Sequence, residues 1–422
     1  MNSVIISTSD ISGGAARSAY RLHDGLRKIG IDSKMIVQEK HSTDFTVLGP
    51  DTDFRRIYSL LRRILDRTQQ KFYAGRAQTP LNFAWLPGKG VLRKIEYLNP
   101  DIVNLHWIGR GIISIESIQR IRKPIIWTLQ DMWVFTGGCH YDAGCGKYKF
   151  KCGECPLLGS RHKLDITRVT WQRKKRSWQN INMIIVAPTR WLAKCSRESS
   201  LFSNYRIEVI PFGLNLETFK PINQFLARDI LKLPQQKRII LFGALQPGDL
   251  RKGFNILISA LEKLKDVIWL KDNIILVVFG ANDPLGQLPF PTYYLGKKND
   301  DETLALIYSS ANVMVVPSIQ EAFGQTASES LACGTPVVSF AGTGVGDIVA
   351  HLQNGFLAPS FDPQGLADGI MWVLEDEDRF QMLSYNARKI AETEFELEDQ
   401  AKKYRSLFKE LLAGIEIYES SQ

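Results

Sequence analysis

Short, almost uninterrupted apolar segments recur along this chain, with helical stretches between them. Strands buried on both faces of a parallel sheet read this way, because neither side meets water. A first series falls at Ser3–Ser7, Ser33–Gln38, Ile102–Leu105, Ile125–Leu129, Met183–Ala187 and Ile207–Ile210, with an amphipathic helix from about Ala15 to Gly30. A second falls at Ile239–Phe242, Ile274–Phe279, Thr292–Leu295, Val313–Val316, Pro336–Phe340 and Gly355–Ala358. Helices over Phe254–Lys265, Asp301–Ser309, Thr326–Ala332 and Pro363–Leu374 separate the strands of that second series. The alternation predicts an α/β chain of two Rossmann-like, doubly wound domains, over residues 1–211 and 212–395. A helix at about Leu397–Leu412, with no strand after it, makes a third segment over residues 396–422.

The length of 422 residues accommodates two or three domains. With 44% apolar and 23% charged residues, disordered and fibrous classes are excluded. No apolar run approaches the roughly 18–20 residues of a membrane span. The start, MNSVIISTSD, lacks the basic and long apolar regions of a secretory signal, so a cytoplasmic location is expected. The 53 Lys and Arg exceed the 44 Asp and Glu by 9. That surplus suits a protein handling phosphates or resting near anionic lipid, and no concentrated basic stripe points to nucleic acid.

Ligands of doubly wound sheets bind beyond the carboxyl ends of the strands. After the first strand stand Gly13 and Gly14, a helix start where bare amides can meet a phosphate or sugar, with a turn that simply needs positive φ as the alternative. His106 follows the third strand; Gln130 and Asp131 follow the fourth. His106 is as readily structural as functional, whereas Asp131 is placed to bind sugar hydroxyls or to take part in proton transfer. In the second half, Arg251 and Lys252 stand at a helix start, where cations and helix dipole together attract an anion. The strongest element is Glu321-Ala322-Phe323-Gly324-Gln325-Thr326-Ala327-Ser328-Glu329. Its two carboxylates straddle a helix N-terminus and face different parts of one elongated ligand, while amides around Phe323, Gly324 and Gln325 meet phosphates.

Three further stretches stand apart. Residues 55–76 place Ile57, Leu60, Leu61, Ile64 and Leu65 on one helical face and cations elsewhere. Such a helix is expected to pack its apolar stripe on the N-terminal sheet, with an anionic membrane surface as the alternative. Residues 171–178 (WQRKKRSW) are expected to form a solvated helix face. Cys139, Cys145, Cys152 and Cys155 crowd one segment, about 137–158, of a chain with six cysteines. Cys-x2-Cys with two upstream cysteines can wrap a structural Zn²⁺, His140 being a replacement ligand; free buried thiols are the other reading.

Taken together, Val209–Pro221, the Arg251-Lys252-Gly253 loop, Ser309–Ser318, the Glu-x7-Glu element, Leu331–Phe340 and Asn354–Ala358 resemble the group-1 family (family 4) of GT-B retaining glycosyltransferases. The resemblance implies two Rossmann-like domains facing across a cleft, with the last helix crossing back to the N-terminal domain. It implies a UDP- or GDP-hexose held chiefly by the C-terminal domain, with Glu321 on sugar hydroxyls, Glu329 on the ribose and Lys252 with a neighbouring Arg on the diphosphate. Gly13 and Gly14 would border the donor phosphates or the acceptor. A saccharide or lipid-linked acceptor would sit on the N-terminal domain. Catalysis would need no divalent metal, since Lys, Arg and helix ends neutralise the leaving charge. The Cys segment resembles an insertion in a subset acting in exopolysaccharide assembly. Three departures stand out. Gln130 occupies a frequent His position and cannot titrate. The arginine usual several residues before the lysine is absent, with Arg251 adjacent instead. Asp347 stands where Glu is commoner.

A sugar-nucleotide-binding protein without transferase activity is the alternative to an enzyme. A dinucleotide oxidoreductase is disfavoured, because the first strand–helix loop lacks GxGxxG.

Overall fold

The computed structural model describes residues 1–73, 75–77, 81–243, 249–265, 267, 273–280, 288–298 and 300–420, with side chains as far as residue 414. The chain divides into two compact units, Met1–Gly213 with Leu397–Gln422, and Leu214–Glu396.

The first unit carries β1 (Asn2–Ser9), β2 (Asp32–Glu39), β3 (Val47–Leu48), β4 (Ile102–Leu105), β5 (Ile125–Thr128), β6 (Met183–Ala187) and β7 (Ile207–Val209). They form one parallel sheet in the order β3-β2-β1-β4-β5-β6-β7. Its helices include α1 (Gly14–Lys28), α2 (Asp53–Leu65), α3 (Lys89–Leu98), α4 (Ile115–Ile118), α5 (Ile166–Trp178) and α6 (Arg190–Arg197).

The second unit carries α7 (Gln224–Ile230), β8 (Arg238–Gly243), α8 (Phe254–Leu264), β9 (Ile274–Phe279), β10 (Thr292–Gly296), α9 (Asp301–Ser310) and β11 (Val313–Val316). After these come α10 (Gln325–Ala332), β12 (Val337–Phe340), β13 (Gly355–Ala358), α11 (Pro363–Leu374) and α12 (Glu377–Glu394). Its parallel sheet runs β10-β9-β8-β11-β12-β13. Both sheets therefore build outward in one direction, return to the middle strand and build out the other way. The order reverses between β1 and β4, and again between β8 and β11. At such switch points the loops diverge and leave a crevice at the strand ends.

The last helix, α13 (Leu397–Ser420), belongs to the first unit. Tyr404, Leu407, Phe408 and Leu411 enter one core with Leu22 and Leu26 of α1 and Ile5, Met35 and Ile126 of the sheet. Gly25 lets α1 come close: a Cβ there would sit 3.1 Å from the Leu397 carbonyl oxygen. The Tyr404 hydroxyl lies 2.8 Å from Thr128 Oγ1 at the end of β5.

Two helices differ from expectation. In α5 the Trp171, Lys174 and Trp178 side chains are buried, not solvated. Trp178 packs against Trp127 with ring centroids 4.9 Å apart, so this segment serves as a core face despite its charges. α2 turns its polar side inward and its apolar stripe outward. Ser59 exchanges hydrogen bonds with the Gln38 carbonyl and side chain at 3.0 and 3.1 Å, and Arg62 Nε donates to the Gly111 carbonyl at 2.8 Å. The physical reason is local: the body beneath α2 presents carbonyls that need donors, which an apolar stripe cannot supply.

Phe408 is fully buried between α13 and the sheet. Phe408→Ala is expected to cost about 3–5 kcal/mol in chemical denaturation. A loss under about 1 kcal/mol would mean that α13 is not integral to this core.

Candidate functional site

In the second unit the loops after β8 and β11 flank the switch point, and two predicted residues meet there. Lys252 ends a single 3-10 turn, Leu250–Lys252, and Gly253 follows with φ +67° as the residue preceding α8. A side chain at Gly253 would run into the carbonyl oxygen of Pro317, just beyond β11. This close approach, which only glycine permits, brings the two loops together. Ile319 N reinforces it by donating to the Arg251 carbonyl at 2.7 Å. Lys252 Nζ consequently lies 2.5 Å from Glu321 Oε2, with Ser318 Oγ 3.4 Å from the same oxygen.

The Lys252 side chain is 40% exposed and Glu321 15%, so the pair remains open to an incoming ligand. Its cation suits a phosphate and its carboxylate suits hydroxyl donors. The backbone then turns through Ala322 and Phe323, both buried, to Gly324 at φ +94° and into α10 at Gln325. The loop Gly342-Thr343-Gly344-Val345-Gly346, after β12, is stitched to this segment by Gly344 N, which donates to the Glu321 carbonyl at 2.8 Å.

Two other predicted residues lie differently. Arg251 forks onto Asp249, at 3.0 and 2.5 Å, and so is committed within its own loop. Residues 244–248 of that loop lie outside the described residues. Glu329 lies inside α10, 3% exposed, and accepts a hydrogen bond from the Tyr308 hydroxyl at 2.8 Å.

In the first unit Gly13 and Gly14 open α1 and are exposed, Gly13 with φ +93°. An Asp10 carboxylate just before them accepts from the backbone N–H of Ile11, His41 and Ser42. Burial alone would raise its pKa, but these donors hold it below the usual carboxylate value. Asp10 thus pins the loop after β2 beside the glycines, which an isolated Asp in the sequence does not signal.

Across the switch point, Gln130 Nε2 lies 3.0 Å from His106 Nδ1, and Gln130 Oε1 lies 2.8 Å from Ser18 Oγ of α1. Burial pushes His106 down to about 3, so its imidazole is neutral at physiological pH. With Nδ1 accepting from the Gln130 amide, the proton sits on Nε2, an atom for which no hydrogen-bond partner is found. His106 is therefore unsuited to acid–base work.

Asp131 anchors a different imidazole. Its Oδ2 lies 2.6 Å from His140 Nδ1 and accepts from Trp107 Nε1 at 3.1 Å, while Oδ1 accepts from Trp133 N at 2.8 Å. A carboxylate holding Nδ1–H leaves Nε2 as the basic nitrogen, an arrangement fit for proton transfer. Sequence spacing alone placed His140 among metal ligands, not here.

All four clustered cysteines line one cavity of about 20 Å³. Among the described residues no three His, Cys, Asp or Glu side chains are grouped so as to hold a metal ion. His140 is held by Asp131 and stands apart from the cysteines. Burial pushes the thiols of Cys139, Cys152 and Cys155 up, Cys152 to about 12, so these three are protonated at neutral pH. Beneath them Lys174 Nζ is wholly buried, donates to the carbonyls of Trp133 and Thr136, and sits 3.8 Å from the Trp133 ring centroid. Burial pushes its amine down to about 7.

A family model for glycosyl transferases group 1 matches residues 223–390. A D-inositol 3-phosphate glycosyltransferase of Thermobispora bispora is 31% identical over 337 residues, spanning 73% of this chain and 72% of that protein. One from Xylanimonas cellulosilytica is 34% identical over 201 residues, 43% of this chain and 46% of its own. The chain spans half or less of the length of several glycosyltransferases that it matches. Among solved structures, sucrose-phosphate synthase from Thermosynechococcus elongatus superposes with a TM-score of 0.69 at 22% identity, over 98% of this chain and 99% of its own. Anabaena HepE in complex with UDP and glucose gives 0.63 at 16% identity, over 97% of this chain and 100% of its own. These likenesses show the fold.

The buried lysine yields a pH prediction. Its folded pKa of about 7 lies below the ordinary 10.5, so between those values the unfolded chain binds more protons and stability rises with pH. The stability of Lys174→Met relative to wild type should therefore fall as pH rises from about 7 towards 10. Denaturation midpoints of the two proteins across that range check it; parallel curves would contradict a depressed amine.

Proposed function

Because this chain belongs to the group 1 glycosyl transferases, we propose that it moves a hexose from a UDP- or GDP-sugar to a saccharide or lipid-linked acceptor in polysaccharide assembly. The single observation that carries the reading is the Lys252–Glu321 pair at the switch point of the second sheet. A nucleotide-diphosphate sugar presents an anion and a ring of hydroxyls, and these are the two chemistries the pair offers.

On donor binding, Lys252 turns to the diphosphate and Glu321 accepts from the sugar hydroxyls. The reaction retains the anomeric configuration. The bond from C1 to the diphosphate oxygen breaks through an oxocarbenium-like state, and the acceptor oxygen bonds C1 on the same face. The hydroxyl proton passes to the departing diphosphate. Lys252 and the N-terminal amides of α10 stabilise charge where it develops, so a divalent metal is not required for leaving-group departure. A charge-assisted hydrogen bond worth about 1.5–3 kcal/mol accounts for roughly 10–10² in rate. In the first unit, Asp131 with His140 orients the acceptor hydroxyl, and Gln130 serves as a hydrogen-bonding group.

Binding without turnover is the second reading, favoured by Gln130 where an imidazole is frequent. Release of UDP or GDP from UDP-glucose, UDP-galactose, UDP-N-acetylglucosamine and GDP-mannose, with and without EDTA, separates the two. One donor should be turned over regardless of EDTA, and Lys252→Ala and Glu321→Ala should each lower the rate by about 10-fold or more. Nucleotide binding in a thermal shift with no release from any donor would favour the second reading; no shift would overturn both.

A further inference from the structure

The least explained feature of the molecule is the outward face of α2. A surface helix normally hides its apolar stripe and shows its charges. Here Phe54, Ile57, Tyr58, Leu61, Ile64 and Leu65 are all more than half exposed, and Phe72, just beyond, is 85% exposed. The helix is nevertheless held firmly in this orientation. Ser59 is bonded to Gln38, and Arg62 reaches the carbonyls of Gly111, Leu86 and Pro87. Turning the stripe inward would strand those carbonyls.

Contiguous exposed apolar surface of this kind marks an interaction site. The charge around it narrows the partner. Arg55, Arg56, Arg63, Arg67 and Lys71 accompany the stripe in sequence. Beside the helix opens a cleft of about 730 Å³, lined by Arg56 and Arg63 together with Lys40, Lys94 and the aromatic rings of Phe45 and Tyr97. The acids nearest these cations, Asp51, Asp53 and Glu39, form ion pairs with Arg55, Arg56 and Arg63 at 2.6, 3.0 and 2.7 Å. Exposed pairs such as the first two are weak and exchange readily for another anion. Apolar side chains in one plane with a cationic border match an anionic bilayer: acyl chains take the stripe and headgroup phosphates take the cations. Among the described residues no helix is long and apolar enough to cross a membrane, and α2, about 20 Å long, is suited to lie in the interface.

We propose that α2 docks the first unit on an anionic lipid bilayer, its apolar face buried at the level of the acyl chains and the neighbouring cleft receiving lipid phosphates. The proposal goes beyond the transferase reading, since it concerns where the protein sits and holds whatever the donor. The test is flotation of the full chain with vesicles of phosphatidylcholine alone and of phosphatidylcholine mixed with phosphatidylglycerol. Wild type should float with the anionic vesicles, less with the neutral ones, and less again in high salt. The triple variant Ile57→Ser/Leu61→Ser/Ile64→Ser, at exposed positions, should bind about tenfold or more weakly while retaining its thermal midpoint. Arg67→Glu/Lys71→Glu should lose the preference for anionic lipid. Equal binding by wild type and the triple variant, or no flotation of wild type, overturns the proposal. So does a dimer that the triple variant converts to monomer without any flotation, which would make the face a contact between copies. Nucleotide release measured in the same variants distinguishes loss of docking from loss of the transferase, because the triple variant should keep it.

Discussion

A parallel sheet covered on both faces has nowhere to expose chemistry except at the ends of its strands. That constraint governs both halves of this molecule. Each sheet spends its Val, Ile and Leu on burial and delivers its polar residues where the loops emerge. Each reverses strand order once, between β1 and β4 and between β8 and β11. The Gly253 backbone against the Pro317 carbonyl is the tightest expression of it in the second unit, for it sets Lys252 against Glu321.

The two units solve their polar problem differently. In the second, opposite charges face one another at a partly exposed point, where exchange for a ligand costs little. In the first, polar groups are sequestered and hydrogen-bonded within the unit: Asp10 by backbone amides, Gln130 by His106 and Ser18, Asp131 by His140 and two tryptophans. A charged pair suits electrostatic binding of a diphosphate, and a hydrogen-bonded network suits positioning of a hydroxyl.

Strands were legible because burial on both faces writes itself into composition, and the positions of Lys252, Glu321 and Asp131 followed from strand ends. Direct contact between Lys252 and Glu321 was not legible, since it depends on a glycine meeting a carbonyl 64 residues away. The partner of Asp131 was also hidden: His140 sits in a cysteine-rich segment, which drew it towards a metal. Arg251 and Glu329 look alike in sequence to their neighbours, yet one is consumed by Asp249 and the other turns to Tyr308. Periodicity located α2 and α5 as helices but could not orient them. Which side of a helix faces inward depends on what the body beneath offers, carbonyls under α2 and an aromatic cluster under α5.

The most direct measurement is a crystal structure of the protein with UDP or GDP bound, whichever stabilises it in solution. The account predicts the diphosphate within hydrogen-bonding distance of Lys252 Nζ, with the Lys252–Glu321 contact opened and Glu321 left to face the sugar position. A nucleotide bound away from Lys252, with that pair still closed, would contradict it.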